Sequence, residues 1–321
     1  MNFIKPKFWQ KKNLISFSLY PFSITTFLFN FIKKLQTQKN FKLKTICVGN
    51  IYLGGTGKTP LASELFKIIK LNGKNPGFIK KKYNYLYDEI KMLEKIGKIF
   101  SNKYRNNAIN SLILSGHDVA ILDDGFQDFS IKKSFSILCF NSKQLIGNGL
   151  VIPSGPLRES INSIKRADCI FINGDRNINF ESKIFEINEK IKIFYSKYKI
   201  NNLDTLKNKK VIAFAGIGNP SNFFDLLKEN NFDVIEAFSY PDHHAYSEKD
   251  YDFLLKKKER DLSIITTEKD YLRLSEKFKN KIEYIKIDLE IENKNEFINI
   301  IKRKIWKSLN IFSNLYLYIF Y

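Results

Sequence analysis

Residue types that would indicate several other classes of protein are scarce in these 321 residues. The three cysteines, Cys47, Cys139 and Cys169, have no CxxC spacing, and three histidines are too few for a His-rich metal site. The thiols lie in or beside apolar runs, so we expect reduced core residues in a cytoplasmic compartment. No cleavage site of small residues precedes the first predicted strand, which argues against a secretory signal peptide.

Acidic residues are outnumbered, because 53 Lys and Arg against 33 Asp and Glu give a formal net charge of +20. Such an excess is typical of proteins that bind nucleic acid. The lysines are spread over the whole chain, however, and form no stripe interleaved with aromatic residues. We therefore expect no nucleic-acid partner and assign the charge to an anionic membrane surface or a phosphorylated substrate.

Charge is absent from residues 14 to 32, LISFSLYPFSITTFLFNFI, which have two lysines on either side. A helix of 19 residues is barely long enough to cross a bilayer. Six of the 19 are Ser, Thr or Asn, and Pro21 would kink a helix, so an interfacial helix competes with a true span. The sequence predicts a membrane-associated N-terminal segment at 1–44 and leaves its depth open.

The strongest local pattern is a glycine loop between a predicted strand and a predicted helix. The apolar run 44–48 leads into Gly54, Gly55, Thr56, Gly57, Lys58 and Thr59. Glycines let backbone N–H groups approach phosphate oxygens, Lys58 would reach the β- and γ-phosphates, and Thr59 would bind Mg²⁺. A strict GxxxxGK[ST] pattern fails because residue 52 is Tyr. We predict ATP and Mg²⁺ as cofactors, against the alternative of a flexible turn with an incidental lysine.

Acidic and basic side chains follow further apolar runs. Asp123 and Asp124 end the predicted strand 119–122 and are candidate Mg²⁺ ligands. Arg158 would neutralise the transferred phosphoryl group, and Glu159 would orient it or reach the metal; an Arg/Glu surface pair is the alternative.

Two of the three histidines, His243 and His244, lie in a loop after a predicted strand. Loops are a common place for catalytic residues, although a His-His pair is more often structural.

Strands that alternate with helices predict an α/β fold with a parallel sheet. The pattern turns polar near 195–209, and a new series begins at 211–215. We predict a P-loop core domain at 45–200, a smaller α/β domain at 201–304 and an apolar aromatic tail at 305–321, which would pack on the protein or touch lipid.

Several blocks in this order resemble the tetraacyldisaccharide 4′-kinase family of lipid A biosynthesis, and together they span roughly residues 45 to 275. The matching segments are VGNIYLGGTGKTP (48–60), DDGFQD (123–128), GNGLVIPSGPLRES (147–160), AFAGIGNPSNFF (213–224), PDHHAYS (241–247) and TTEKDYLRL (266–274).

The resemblance implies two α/β/α lobes, a P-loop NTPase-like core that binds ATP, and an N-terminal helix on the cytoplasmic face of the bacterial inner membrane. It implies phosphorylation of the 4′-hydroxyl of tetraacyldisaccharide 1-phosphate, a lipid-linked disaccharide. We infer no obligate protein partner from the sequence. It also implies a dyad of Asp88 with His243 or His244 that activates the hydroxyl, assisted by Lys58 and Arg158.

The chain departs from the family pattern between residues 80 and 90. Lys80-Lys81-Lys82-Tyr83 stands where the family has Ser-Arg-Gly-Tyr, and Asp88 lacks the flanking Gly and Pro. Tyr83 is kept, and Arg105 matches a family arginine near the substrate phosphate. Two alternatives follow: another P-loop enzyme, such as a GTPase or a kinase with a soluble acceptor, and a nucleotide-binding membrane protein with lost or altered kinase activity.

Overall fold

The chain forms an N-terminal helical segment and two α/β lobes, as described by a computed structural model for residues 5–83, 87–206, 209–258 and 261–306. The N-terminal segment contains helices α1 (Leu14–Ser18) and α2 (Tyr20–Lys34). The predicted tail at 305–321 lies outside the described residues, except for its first two, which end the last helix.

The first lobe has an eight-stranded sheet with helices on both faces. Its elements are β1 (Lys44–Gly49), α3 (Lys58–Leu71), β2 (Pro76–Lys81), α4 (Tyr87–Glu94), β3 (Ile99–Asn102), α5 (Arg105–Leu114), β4 (Val119–Asp123), β5 (Phe135–Asn141), β6 (Cys169–Asn173), α6 (Ile178–Ile187) and β7 (Lys192–Ile200), joined from the end of the chain by β12 (Ile287–Ile291) and α11 (Lys294–Trp306).

The order of strands in this sheet is β12-β7-β6-β5-β1-β4-β2-β3, and every pair is parallel except β7 with β12. Strand β1 lies between β4 and β5, and its residue Val48 is in register with Asp123 at the end of β4. The carboxyl ends of parallel strands share one edge of a sheet, so the loops after β1, β2 and β4 meet there. This edge is where α/β folds bind ligands.

The second lobe has a smaller, four-stranded parallel sheet in the order β11-β10-β8-β9. Its elements are β8 (Lys210–Ala215), α7 (Pro220–Glu229), β9 (Asp233–Ser239), α8 (Glu248–Lys256), β10 (Ser263–Thr267), α9 (Glu268–Tyr271), α10 (Glu276–Lys279) and β11 (Glu283–Ile285). The predicted second α/β unit is therefore present.

The second lobe ends earlier than the predicted boundary at residue 304. Strand β11 closes the small sheet, whereas β12 starts two residues later and pairs with β7 of the first lobe. Helix α11 then packs Phe297, Ile301 and Ile305 into the core of the first lobe. The apolar pattern runs on through this stretch without a turn signal, so the sequence did not reveal that the chain changes sheets at Lys286.

Helix α2 turns some of its polar side chains inward and most of its apolar side chains outward. Ser23 and Asn30 are buried, and the Asn30 amide donates to the backbone oxygen of Arg158 at 2.8 Å. Six large apolar side chains are each more than half exposed: Phe22, Ile24, Leu28, Phe29, Phe31 and Ile32. Pro21 lies in the first turn of α2, so it helps to start this helix instead of kinking a longer one.

Among the residues that the structure describes, no helix is long and apolar enough to cross a bilayer. The break at Leu19 divides the uncharged stretch into two short helices.

The three cysteines lie on neighbouring strands of the first sheet, on β1, β5 and β6. All three are buried and free, which confirms their predicted place in the core. Burial raises the pKa of the Cys47 thiol to about 11 and suits these thiols to packing and not to reactivity.

Candidate active site

The loop between β1 and α3 has the geometry of a phosphate-binding loop. Gly54 and Gly57 have φ angles of 124° and 87°, in the region that favours glycine. Helix α3 has 14 residues and begins at Lys58, so the loop ends on the N–H groups of its first turn. The Asn50 amide donates to Gly54 O at 3.1 Å and to Thr56 Oγ1 at 3.0 Å, which holds the turn together.

Tyr52, the residue that breaks the strict glycine pattern, is a structural support of this loop. Its side chain is buried, and its backbone forms an antiparallel bridge with Leu157. Lys5 Nζ lies 5.0 Å from the centre of its ring and donates to Gly218 O in the second lobe at 2.9 Å. A Cβ on Gly218 would lie 2.5 Å from Gly55 N, so only glycine allows the second lobe to approach the loop this closely.

Asp123 lies at the end of β4, facing the first turn of α3. Its Oδ2 is 3.5 Å from Thr59 Oγ1, and its Oδ1 is buried with no hydrogen-bond partner among the described residues. A hydroxyl and a carboxylate beside a phosphate loop are oxygen ligands of the kind Mg²⁺ prefers, with phosphate and water oxygens completing the shell. No group of three or more His, Cys, Asp and Glu side chains in the described ranges could hold a metal without them. The pair Thr59 and Asp123 therefore fits an ion that binds together with a nucleotide.

Asp124 is held by two cations of the first lobe. Arg158 Nη1 donates to its Oδ1 at 2.9 Å, and Lys58 Nζ lies 3.8 Å from the same oxygen. Burial alone would raise the pKa of Asp124, but Lys58 and Arg158 outweigh burial and keep the pKa well below its usual range. The carboxylate is thus ionised and fixes Arg158 next to the phosphate-loop lysine.

Glu159 is turned away from the predicted metal shell. Arg166 Nη2 donates to its Oε2 at 2.6 Å, and Gln127 Nε2 donates to its Oε1 at 3.2 Å. Both oxygens are occupied, so the structure gives this buried carboxylate the role of neutralising Arg166. Sequence adjacency to Arg158 suggested a shared site, but neighbouring residues in an extended segment point in opposite directions.

The two predicted substrate residues differ in surroundings. Arg105 is buried, and its Nη2 donates to Asp124 O at 2.7 Å while its Nη1 pairs with Asp128 Oδ2 at 3.1 Å. These contacts stabilise the loop after β4. Tyr83 is exposed, with Lys81 Nζ 5.3 Å from its ring centre. Contact of either residue with substrate stays a prediction.

Lys80, which the sequence analysis noted only as a departure from the family pattern, is a buried cation at the centre of the site. Its Nζ contacts Asp123 Oδ2 and lies 2.7 Å from Glu89 Oε2. Burial would lower the pKa of Lys80, but Asp123 and Glu89 raise it well above its usual value. In the sequence Lys80 opens a run of three lysines, and such a run is usually exposed to solvent. The burial of Lys80 follows from the position of β2 between β4 and β3 in the sheet.

Asp88 and His243 come together from different lobes. Asp88 lies in the first turn of α4, whereas His243 lies in the loop after β9, and His243 Nδ1 is 3.5 Å from Asp88 Oδ2. Burial would raise the pKa of Asp88, but the hydrogen bond with His243 and the charges of Lys269 and Arg273 lower it to about 2. Asp88 is therefore an ionised, buried carboxylate beside a histidine.

His244 faces the interior of the second lobe. Its Nε2 lies 3.2 Å from Asp250 Oδ2, and its ring stacks on Tyr240 with 4.7 Å between the ring centres. The sequence left the choice between the two histidines open; in the structure only His243 reaches Asp88.

Two further cations of the second lobe reach α4. Lys269 Nζ lies 3.0 Å from Glu89 Oε1, and Arg273 Nη2 lies 2.5 Å from Asp88 Oδ2. Both belong to the 266–274 block, but in the sequence they look like ordinary charges around a helix terminus. Their role depends on α4 lying opposite, which no local pattern encodes.

Comparison with known proteins identifies the family. The model of the family described as tetraacyldisaccharide-1-P 4′-kinase (LpxK) matches residues 14–306. A protein of Pelagibacter ubique (strain HTCC1062) named tetraacyldisaccharide 4′-kinase is 45% identical over 305 residues, which cover 93% of this chain and 97% of that protein. The chain belongs to the LpxK family.

Two other LpxK-family proteins are similar to this chain over nearly their whole length. A relative of the same name from Rickettsia canadensis (strain McKiel) is 32% identical over 328 residues, covering 96% of this chain and 98% of its own length. A crystal structure described as an "apo" form of LpxK from Aquifex aeolicus in complex with ATP has a TM-score of 0.70 and 25% identity, covering 91% of this chain and 100% of that one.

The LpxK fold confirms the predicted P-loop-like α/β core with a second, smaller α/β lobe. Membership of the family also decides against the alternative of a GTPase.

Proposed function

We infer that this chain is an ATP-dependent kinase that phosphorylates the 4′-hydroxyl of tetraacyldisaccharide 1-phosphate in lipid A biosynthesis. The family match and the names of its relatives support the reaction. The observation that carries the mechanism is the meeting of Asp88 and His243 beside the phosphate loop. Gly218 of the second lobe packs against Gly55 of that loop. Lys80 links Glu89, the neighbour of Asp88, to Asp123 at the end of β4.

The first lobe binds and neutralises the phosphates. The loop 54–59 presents backbone N–H groups and Lys58 to them, and Asp124 holds Arg158 where it stabilises the charge on the transferred group. Thr59 and Asp123 are the residues that would hold Mg²⁺, which when bound screens the charge of the phosphate oxygens. Lys80 keeps Asp123 in place beside Thr59.

The pair across the lobes activates the acceptor. The 4′-oxygen bonds to the γ-phosphorus as the bond from that phosphorus to the bridging oxygen breaks and leaves ADP, and the hydroxyl proton passes to the Asp88–His243 pair. We assign the histidine role to His243, because His244 is engaged with Asp250. Tyr83 is the exposed candidate for contact with the sugar.

The N-terminal segment seats the enzyme on its lipid substrate. Helix α2 turns its apolar side chains outward, and Lys11, Lys12, Lys33 and Lys34 flank the uncharged stretch. This arrangement suits an interfacial helix whose lysines contact anionic headgroups and whose apolar side enters the acyl region. We propose the cytoplasmic face of the bacterial inner membrane as the site of action, where ATP is available.

The assignment is tested by incubating the purified protein in detergent with γ-labelled ATP, Mg²⁺ and tetraacyldisaccharide 1-phosphate. We expect labelled lipid from the unaltered protein and a loss of about 100-fold or more in Lys58→Ala, because a lost charge contact to the transferred group costs that much. His243→Ala should lose about 100-fold or more as well, since it removes part of the proton acceptor.

Matched variants separate these roles from general damage. Lys70→Ala, in the last turn of the same helix as Lys58, and His244→Ala, next to His243, should keep most of the activity at a temperature below their melting points. If the unaltered protein binds ATP but labels no lipid, the chain is the nucleotide-binding membrane protein without transfer activity. Equal losses in His243→Ala and His244→Ala would contradict the assignment of the dyad.

A further inference from the structure

Arg273 is the side chain that connects the acidic end of α4 to the core of the second lobe. It follows α9, and only 10% of its side chain is exposed. Its Nη1 donates to Gly216 O at 2.8 Å and to Asp270 Oδ1 at 3.0 Å. Asp270 is itself fully buried and accepts from Tyr246 Oη at 2.9 Å, so one end of the guanidinium is fixed to a rigid support.

The other end of the same guanidinium is bonded to the first lobe. Nε donates to Asp88 Oδ2 at 2.8 Å, and Nη2 donates to that oxygen at 2.5 Å. Both bonds go to Oδ2, whereas Asp88 Oδ1 is buried and has no hydrogen-bond partner among the described residues. Arg273 therefore engages one carboxylate oxygen twice, and the other keeps its capacity to accept a hydrogen bond.

We propose that Arg273 is a positioning residue for the phosphotransfer reaction: it fixes Asp88 through Oδ2 so that Oδ1 is presented to the acceptor hydroxyl. This inference rests on the proposed function, in which Asp88 belongs to the proton-accepting pair. Because Arg273 belongs to the second lobe, Asp88 takes this orientation only when the two lobes are in contact.

Charge alone does not explain the arrangement, because other cations already face Asp88. Lys269 Nζ lies 3.9 Å from its Oδ2 and His243 Nδ1 lies 3.5 Å away, while the carboxylates of Glu89 and Asp242 lie around the same group of cations. What only Arg273 provides is a planar fork with three nitrogens engaged at once, which an ammonium does not reproduce. The identity of the side chain should therefore matter more than its charge.

A purely structural role, in which Arg273 merely ties the lobes together, makes a different prediction. The pair Lys95–Glu268 also joins the lobes, with 2.6 Å between Nζ and Oε1, but it is exposed and does not touch Asp88. Lys95→Ala is thus a matched control that weakens the contact between the lobes and leaves the orientation of Asp88 unchanged.

The experiment compares the unaltered protein, Arg273→Lys, Arg273→Ala and Lys95→Ala in the lipid-labelling assay. The melting temperature of each protein and its affinity for a fluorescent ATP analogue are measured as well. We expect Arg273→Lys to lower kcat by about 30- to 100-fold, the cost of a misplaced catalytic group, with KM for ATP and analogue affinity unchanged. Millimolar guanidinium chloride should restore part of the kcat of Arg273→Ala, whereas the same concentration of sodium chloride should not.

The outcomes separate this proposal from the function on which it rests. No labelled lipid from the unaltered protein overturns both. Labelled lipid from the unaltered protein, with Arg273→Lys as active as Lys95→Ala, overturns only the positioning role. A loss in Arg273→Lys and Arg273→Ala that appears only as weaker nucleotide binding or a lower melting temperature also overturns it, because a positioning residue acts on kcat.

Discussion

The first lobe is joined to two neighbours by different kinds of contact. Helix α2 is attached mainly by neutral hydrogen bonds, in which Ser23, Thr26 and Asn30 donate to backbone oxygens of the 151–158 segment. One ion pair is added at its end, where Lys34 Nζ lies 3.8 Å from Glu159 Oε2. The second lobe is attached largely by ion pairs, among them Asp88 with Arg273 and Glu89 with Lys269.

The difference matches the surroundings of each contact. At the lipid surface that we propose for α2 the dielectric is low, so an imperfectly paired charge is costly there and a satisfied neutral hydrogen bond is not. The cleft between the lobes is instead the place where we propose that a polyanionic nucleotide binds and that cations and carboxylates perform the chemistry. Changes on α2 should accordingly affect binding to lipid, whereas the contact between the two lobes should stabilise the protein to a degree that depends on pH.

The largest expected effect is on the apolar side of α2. Replacing Phe22, Leu28 and Phe29 by Ser should weaken binding to vesicles of phosphatidylethanolamine and phosphatidylglycerol by about 100-fold, because each side chain loses roughly 1 kcal/mol or more of transfer free energy. Cosedimentation measures the binding. All three side chains are exposed, so the melting temperature should hardly change.

The control for the vesicle experiment uses exposed apolar side chains elsewhere on the first lobe. Leu71, Leu114 and Ile178 are at least as exposed as those on α2, and their replacement by Ser should leave vesicle binding unchanged. Equal loss in both triple variants would show that lipid binding does not depend on α2.

A smaller effect is expected from pH at the charged attachment. Asp88 has its pKa lowered from 3.8 to about 2 in the folded protein, so its ionised form adds stability above pH 3.8 that is lost as the pH falls toward 2. Nearly two pKa units correspond to about 2 kcal/mol. In urea unfolding, the stability difference between unaltered protein and Asp88→Asn should narrow by that amount between pH 5 and pH 2.

The neutral attachment gives the smallest effect and serves as the control for pH. Asn30→Ala removes a hydrogen bond of 2.8 Å to Arg158 O and should cost about 1 kcal/mol. The cost should be the same at pH 5 and at pH 3, because no titratable group is involved.

Thr25→Ala, which removes only a local bond on the exposed side of α2, should change the free energy of unfolding by less than about 0.5 kcal/mol. A cost for Asn30→Ala that varies with pH as that of Asp88→Asn does would remove the distinction between the two attachments.

Much of the predicted phosphate site could be recognised in the sequence, because its residues lie at the ends of strands or directly after them. The glycine loop after β1 and Asp123 after β4 meet for a simple reason: carboxyl ends of neighbouring parallel strands share an edge. The α/β fold and the second unit followed from the alternation of apolar runs. The placement of β12 did not, since its strand pattern is the same whichever sheet it joins.

The part of the site around Asp88 and His243 could be predicted from the sequence only in part. The resemblance pointed to Asp88 and the histidine loop, but the selection of His243 over His244 depends on which ring faces the cleft. The sequence analysis assigned no role to Lys80 or Arg273, because a sequence shows the type of a side chain and not the burial of its neighbours. Glu159 was misjudged for the same reason.

The sequence by itself determined the strand, glycine loop and helix of the predicted phosphate site, the α/β class, the family and an uncharged N-terminal stretch, since each depends on residues close together in the chain. Only the tertiary structure decided which side of α2 faces outward, which histidine reaches Asp88, and which cations surround it. Those contacts join residues more than a hundred positions apart, and their partners are set by the packing of two lobes and a helix against one another.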